Sequence, residues 1–169
     1  MKEKKQKTHI AYFSAEIGIS DDIPTYSGGL GVLAGDHIKA SADEGISMVA
    51  ITLLYKEGYF KQEIDVKGKQ IETYPRFDAA SILNRLNVKF TLHLRGRDVW
   101  VEAYEYVVTG INGHKISIYF LDTDIDENSD EDRSITLRLY SGGKNHRILQ
   151  EAVLGFGGVH LLKLLNYNY

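Results

Sequence analysis

Apolar and polar positions change pattern twice along this chain. Near its start, Ile10-Ala11-Tyr12-Phe13 is a short apolar run of the kind that forms a buried strand. Residues 17–29, with Gly18, Asp21, Asp22, Pro24, Ser27, Gly28 and Gly29, read as a loop. From Leu30 to Glu44 the apolar positions Leu30, Leu33, Ala34 and Ile38 recur at helical spacing, and Gly45 follows as a C-terminal cap. The continuous run Met48 to Leu54 predicts a second buried strand. Strand, helix and buried strand in that order predict a βαβ crossover in a parallel sheet, so the fold class is α/β.

Beyond Leu54 strands dominate. The segments Tyr59 to Ile64, Lys69 to Tyr74, Val88 to Leu94, Asp98 to Val108 and His114 to Leu121 add antiparallel strands, and Asn112-Gly113 is the turn signal that folds the last two into a hairpin. From His146 to Leu165 a largely buried helix is expected, with Ile148, Leu149, Ala152, Val153, Phe156, Val159 and Leu162 on its inner face. Gly155, Gly157 and Gly158 weaken that helix, so close backbone packing is expected around them.

The 169 residues, 43% of them hydrophobic, suffice for one core, and a single domain over 1–169 is expected. A net charge of −3 gives no nucleic-acid footprint. The basic start, Met1 to Lys7, precedes too short an apolar stretch for export, and no run approaches the length of a membrane helix. A cytoplasmic protein is the expectation. The absence of cysteine excludes disulfides and thiolate metal sites.

Candidate chemistry centres on Tyr26-Ser27-Gly28-Gly29-Leu30-Gly31, a glycine-dense turn entering a helix. Glycines admit positive φ and close ligand approach, and the first helical amides attract anions. The same residues also suit a turn that only packs tightly. Gly29-x-Gly31-x-x-Ala34 matches the dinucleotide fingerprint in letters, but the preceding loop is too long and no carboxylate ends the next strand. No lysine and hydroxyl follow the glycines, as a P-loop requires. Asp122-x-Asp124-x-Asp126-x-Asn128-x-Asp130 lacks the glycine and glutamate of a calcium loop, so a solvated acidic loop is expected, with Asp132 or Ser134 capping the next helix. The six histidines show no zinc-protease spacing, and Asp36 and His37 diverge on a helix, so exposure or core packing is expected of them. There is no G-x-S-x-G nucleophile turn.

In order along the chain stand Ile10-Ala11-Tyr12-Phe13-Ser14-Ala15-Glu16-Ile17-Gly18-Ile19, then Tyr26 to Asp36, Leu53 to Gln62, Leu121 to Asp124, Arg133 to Tyr140 and Arg147 to Gly158. Together these blocks resemble the N-terminal part of bacterial and archaeal α-glucan (glycogen or starch) phosphorylases over nearly the whole chain. The resemblance implies a two-lobe, Rossmann-like glycosyltransferase of the GT-B-like kind that transfers a terminal glucosyl unit of an α-1,4-glucan to phosphate. It implies pyridoxal phosphate as cofactor, with the attachment lysine in a C-terminal lobe beyond these residues. It places Gly28, Gly29 and Leu30 at the phosphates in the interlobe cleft, and Glu16 near that cleft. α-Glucan, phosphate and a C-terminal lobe or second chain are the implied partners, and the chain alone is expected to be inactive and to self-associate. Where the family reads Gly-Gly-Asp after Leu139-Tyr140, this chain reads Ser141-Gly142-Gly143 and then Lys144, losing a negative charge. Two other readings stand beside this one: a non-catalytic module binding a sugar phosphate or glucan, and a lobe of the glycogen synthase type, although the lysine usual before that type's glycines is absent.

Overall fold

The structure, a computed structural model, describes residues 10–167. The basic start and His9 lie outside them. The main sheet has five strands in the order β1-β2-β7-β6-β5, formed by β1 (Ile10–Phe13), β2 (Met48–Leu53), β5 (Asn84–Leu94), β6 (Arg97–Thr109) and β7 (Lys115–Asp122). β1, β2 and β7 run parallel, and β6 and β5 continue the sheet antiparallel, as the change of pattern predicts. β3 (Lys61–Ile64) and β4 (Gln70–Thr73) form where strands are expected but pair only with each other, in an exposed hairpin. Its base is aromatic: Phe60 and Tyr74 lie edge to face, with the Arg138 guanidinium 4.1 Å from the Tyr74 ring centroid.

Helix α1 (Gly29–Asp43) covers one face of the sheet, where Ala34 and Ile38 meet Ala50, Ile118 and Phe120. Helices α3 (Lys144–Ala152) and α4 (Gly158–Leu164) cover the other, where Leu149, Val153 and Leu161 meet Val49, Ile51 and Leu121. β2 is buried along its whole length because both faces are covered. Among the described residues no helix is long and apolar enough to cross a membrane.

The buried face of α1 differs from the expected one. Leu30 and Leu33 are 52% and 67% exposed, while Gly31, Ala34, Gly35, Ile38, Ser41 and Ala42 face inward. Small residues win these positions because the backbone at Gly18 crosses the helix directly: the Gly18 amide donates to the Gly31 carbonyl at 2.8 Å, and a Cβ on Gly35 would collide with the Gly18 carbonyl. Gly45 ends the helix as expected, at φ +67, with Gly45 and Ile46 amides donating back to Ala42 and Ser41.

The C-terminal helix is not continuous α-helix. Val153–Gly157 forms a π turn between α3 and α4. The buried positions 149, 153, 157 and 161 recur every four residues, slower than the α-helical 3.6, and the wide turn absorbs the difference. Ile148 and Phe156 therefore point outward, at 62% and 70% exposure, against expectation. Gly157 and Gly158 do pack closely, Gly158 against Phe13 and Ile51, whereas Gly155 faces open space.

The acidic segment after β7 is also less solvated than its composition suggests. Asp122 is fully buried and pairs with Lys56 at 2.7 Å; Asp124 pairs with Arg133 at 2.8 Å and with Arg76, while Asp126, Glu127 and Asp130 are exposed. The short helix α2 (Asp130–Arg133) is capped by Ser129, whose hydroxyl accepts from the Asp132 amide, and not by Asp132 or Ser134. Asp132 is instead held by Arg97 at 2.7 Å.

Gly35→Ala should destabilise the chain by about 2 kcal/mol or more through overpacking at the Gly18 crossing. Gly155→Ala should stabilise it by about 0.5–1 kcal/mol, because a helical glycine in open space gains only from reduced backbone freedom. Urea unfolding of both variants tests the assignment of packed and open glycines, which equal losses would refute.

Candidate functional site

Because β1, β2 and β7 are parallel, their carboxyl ends share one edge of the sheet, the edge at which open α/β sheets hold ligands. Two connections leave it for helices. One runs from β1 through the glycine loop to α1, and the other from β7 through α2 and residues 140–143 to α3. Both helices begin on a glycine, Gly28 and Gly143, with no side chain capping the first turn and no acidic residue within it. Apart from the His146 amide, which donates to the Gly143 carbonyl at 3.0 Å, their first-turn amides lack intrahelical acceptors and stand at the positive ends of the helix dipoles.

The glycine stretch divides by role. Gly28 is extended, at φ −156 and ψ −159, and neither it nor Gly29 nor Gly31 takes the positive φ that the sequence suggests. Gly31 and Gly35 are packing positions. At Gly28 and Gly29 a Cβ would meet no atom within 4 Å, so the space over the first turn of α1 is open, with Leu30 exposed beside it.

Glu16 joins the two connections. Its carboxylate is buried, with the residue 2% exposed, and both oxygens are engaged: Oε2 accepts from the Ser27 amide at 2.8 Å and Oε1 accepts from the Tyr140 hydroxyl. Tyr140 takes the left-handed conformation at φ +56, a strain worth about 1–3 kcal/mol for a residue with a side chain. Its ring lies 4.8 Å from the Arg147 guanidinium and edge-on to Tyr59, and Arg147 pairs with Glu151 at 2.9 Å. Burial, followed by the bond to Glu16, raises the Tyr140 pKa, so its hydroxyl stays protonated as a donor. Beneath it Tyr55, its phenol pushed up by burial, donates to the Ala15 carbonyl at 2.9 Å. An open cavity of about 650 Å³ adjoins the pair, lined by Tyr140, Ser141, Gly142, Gly143, Lys144, Arg147 and Ile148. Among the described residues no group of histidines and carboxylates is arranged to hold a metal ion.

Known proteins share this chain's sequence almost end to end. It is 43% identical to the maltodextrin phosphorylase of Thermococcus litoralis over 168 residues, covering 95% of this chain and 20% of that protein. The chain is homologous to the glycogen and maltodextrin phosphorylases. The glycogen phosphorylases of Mycobacterium tuberculosis and Aquifex aeolicus are 40% and 37% identical over 92% and 96% of this chain, and 18% and 24% of their own lengths. The chain thus spans about a fifth of the length of the phosphorylases it matches. No protein-family model matches it.

The structure brings Glu16 to the glycine loop and gives it partners that sequence reasoning missed. Tyr140 and Arg147 stand in sequence blocks that resemble the family, but nothing in their spacing shows that a side chain 124 positions away reaches Glu16. Among the described histidines, His37 is exposed beside Tyr12, His93 pairs with Asp98, and His160 stacks on Phe90.

His146, packed against Gly142, has a pKa lowered from 6.5 by burial. The unfolded chain then binds its proton at a higher pH than the folded chain does. Stability from this group is complete above pH 6.5 and declines as pH falls from there to the lowered folded value. The urea midpoint should therefore drop on acidification through this window, and His146→Gln should flatten the drop. An unchanged profile in the variant would assign the effect elsewhere.

Proposed function

We propose that this chain forms one wall of the phosphate- and glucan-handling cleft of an α-glucan phosphorylase, with the glycine loop and the start of α1 facing the phosphate. The observation that carries the reading is the pair of open, uncapped glycines Gly28 and Gly29 at the carboxyl edge of the sheet, in a chain whose relatives are named phosphorylases. In this reading the sheet and its helices form the N-terminal, Rossmann-like lobe of a two-lobe GT-B-like enzyme. Phosphate displaces the oxygen of the terminal α-1,4 bond, giving glucose 1-phosphate and a shortened glucan. The first-turn amides of α1 hold negative charge on the phosphate during that transfer without any side-chain rearrangement. The open amide wall also fits the phosphate of pyridoxal phosphate, which supplies acid chemistry in such enzymes, and we assign none of this chain's lysines to that cofactor.

A second lobe or second chain completes the cleft, and the exposed Leu30, Val32 and Leu33 beside the glycines give it an apolar rim to cover. Phosphorolysis requires groups held from both walls, because positioning across a closed cleft supplies much of the rate. Glucose 1-phosphate release from glucan and phosphate is therefore expected from this chain only in combination with polypeptide matching the rest of its relatives. Release by the chain alone would overturn that division of labour.

Inorganic phosphate should shift the amide resonances of Gly28 to Gly31 in a titration of the chain. Gly29→Val keeps a helical backbone but fills the space over the first turn, and should abolish the shifts while leaving the thermal midpoint nearly unchanged. Undiminished binding by this variant would make the loop a packing element. Phosphate binding in every combination with no turnover would favour the binding module.

A further inference from the structure

We infer that Tyr140 is a positioning residue for the glycine loop, acting through the buried carboxylate of Glu16 to hold Ser27 and so aim the first-turn amides of α1. The inference rests on the anion-binding reading of that loop. Each Glu16 oxygen accepts from a protein donor, one from the Ser27 amide and one from the Tyr140 hydroxyl, and the residue is 2% exposed, so the carboxylate is buried away from a ligand in solvent. Its negative charge stands near the positive end of α1, where it opposes an incoming anion; geometry, not charge, is what it contributes there. Tyr140 reaches it only from a left-handed backbone, two residues before Gly142, and its ring is fixed by the Arg147 guanidinium on one side and the Tyr59 edge on another. The start of the 140–143 connection thereby sets the aim of the glycine loop.

The test compares the full chain with Tyr140→Phe, Glu16→Gln, Glu16→Ala and, as a control for general stability, Val153→Ala in the opposite core. Ser27 amide exchange and the affinity for inorganic phosphate are read in each. Tyr140→Phe keeps the ring but frees Glu16, and should weaken phosphate binding about fivefold, the equivalent of one hydrogen bond, while speeding Ser27 exchange by a similar factor. Glu16→Gln can still accept from Ser27 and donate to the Tyr140 oxygen; it should protect Ser27 as the wild type does and bind phosphate at least as tightly, whereas Glu16→Ala should lose both. Val153→Ala should lower the thermal midpoint and change neither.

Wild-type behaviour in Tyr140→Phe would overturn the inference. So would equal losses in Glu16→Gln and Glu16→Ala, which would assign the effect to the charge, or the same changes in Val153→Ala, which would assign it to stability. Absence of phosphate binding by the wild type would instead count against the anion-binding reading, and Ser27 exchange would still decide whether Tyr140 holds the loop.

Discussion

The direct crossing of backbone at Gly18 over helix α1 is the constraint on which the site depends. Gly18 donates to the Gly31 carbonyl, and Gly35 leaves room for the Gly18 carbonyl one turn later. Any side chain at Gly35 would lift the helix off the loop that leads into it. The loop's course fixes Glu16, two residues before Gly18, and Glu16 in turn fixes Ser27 at the mouth of the helix. A packing requirement inside the core thus sets the direction of an uncapped helix start at the surface, with the buried Glu16 side chain as the link between them.

The same economy explains which glycines stand where. Gly31 and Gly35 are small because protein atoms press on them, and Gly28 and Gly29 are small where nothing does. Ordinary helix design would put serine, threonine or aspartate at the first of these open positions, where a side-chain cap adds about a few tenths of a kcal/mol over glycine. The chain forgoes that stabilisation at the starts of both α1 and α3, on one edge of one sheet. Strain at Tyr140 adds to the cost. Stability is conceded in one small region while β2 beneath, buried on both faces, anchors the sheet.

Much of the architecture was legible in the sequence because period and turn chemistry are local. The two parallel strands flanking α1, the Asn112-Gly113 hairpin and the Gly45 cap each rest on a few adjacent residues, and each stands where the pattern puts it. Readings that depended on which face meets the core fared worse. Leu30 and Leu33 look like core residues until the Gly18 crossing selects the small-residue face of α1, and Phe156 looks buried until a π turn rotates it outward. The buried Asp122 could not be told from its solvated neighbours, because its partner Lys56 lies in another connection. At the site, the resemblance pointed to Glu16 and the glycines but not to Tyr140, whose bond to Glu16 is a contact between distant segments.

Charge at the edge follows from the same geometry. A buried carboxylate carries a desolvation cost, which the Ser27 and Tyr140 donors and the positive end of α1 offset without a direct ion pair on Glu16. The chain places its cation one step away: Arg147 lies over the Tyr140 ring and pairs with Glu151, leaving both Glu16 oxygens to hydrogen-bond donors. Lys144, at the first position of α3, adds a further exposed positive charge on the cavity side of that ring. The negative group that shapes the loop is therefore buried and fully bonded, and the positive groups are the ones that line the open cavity. Glu16 acts at the helix start only through the backbone it holds in place, with its own charge buried and the cations Arg147 and Lys144 on the cavity side.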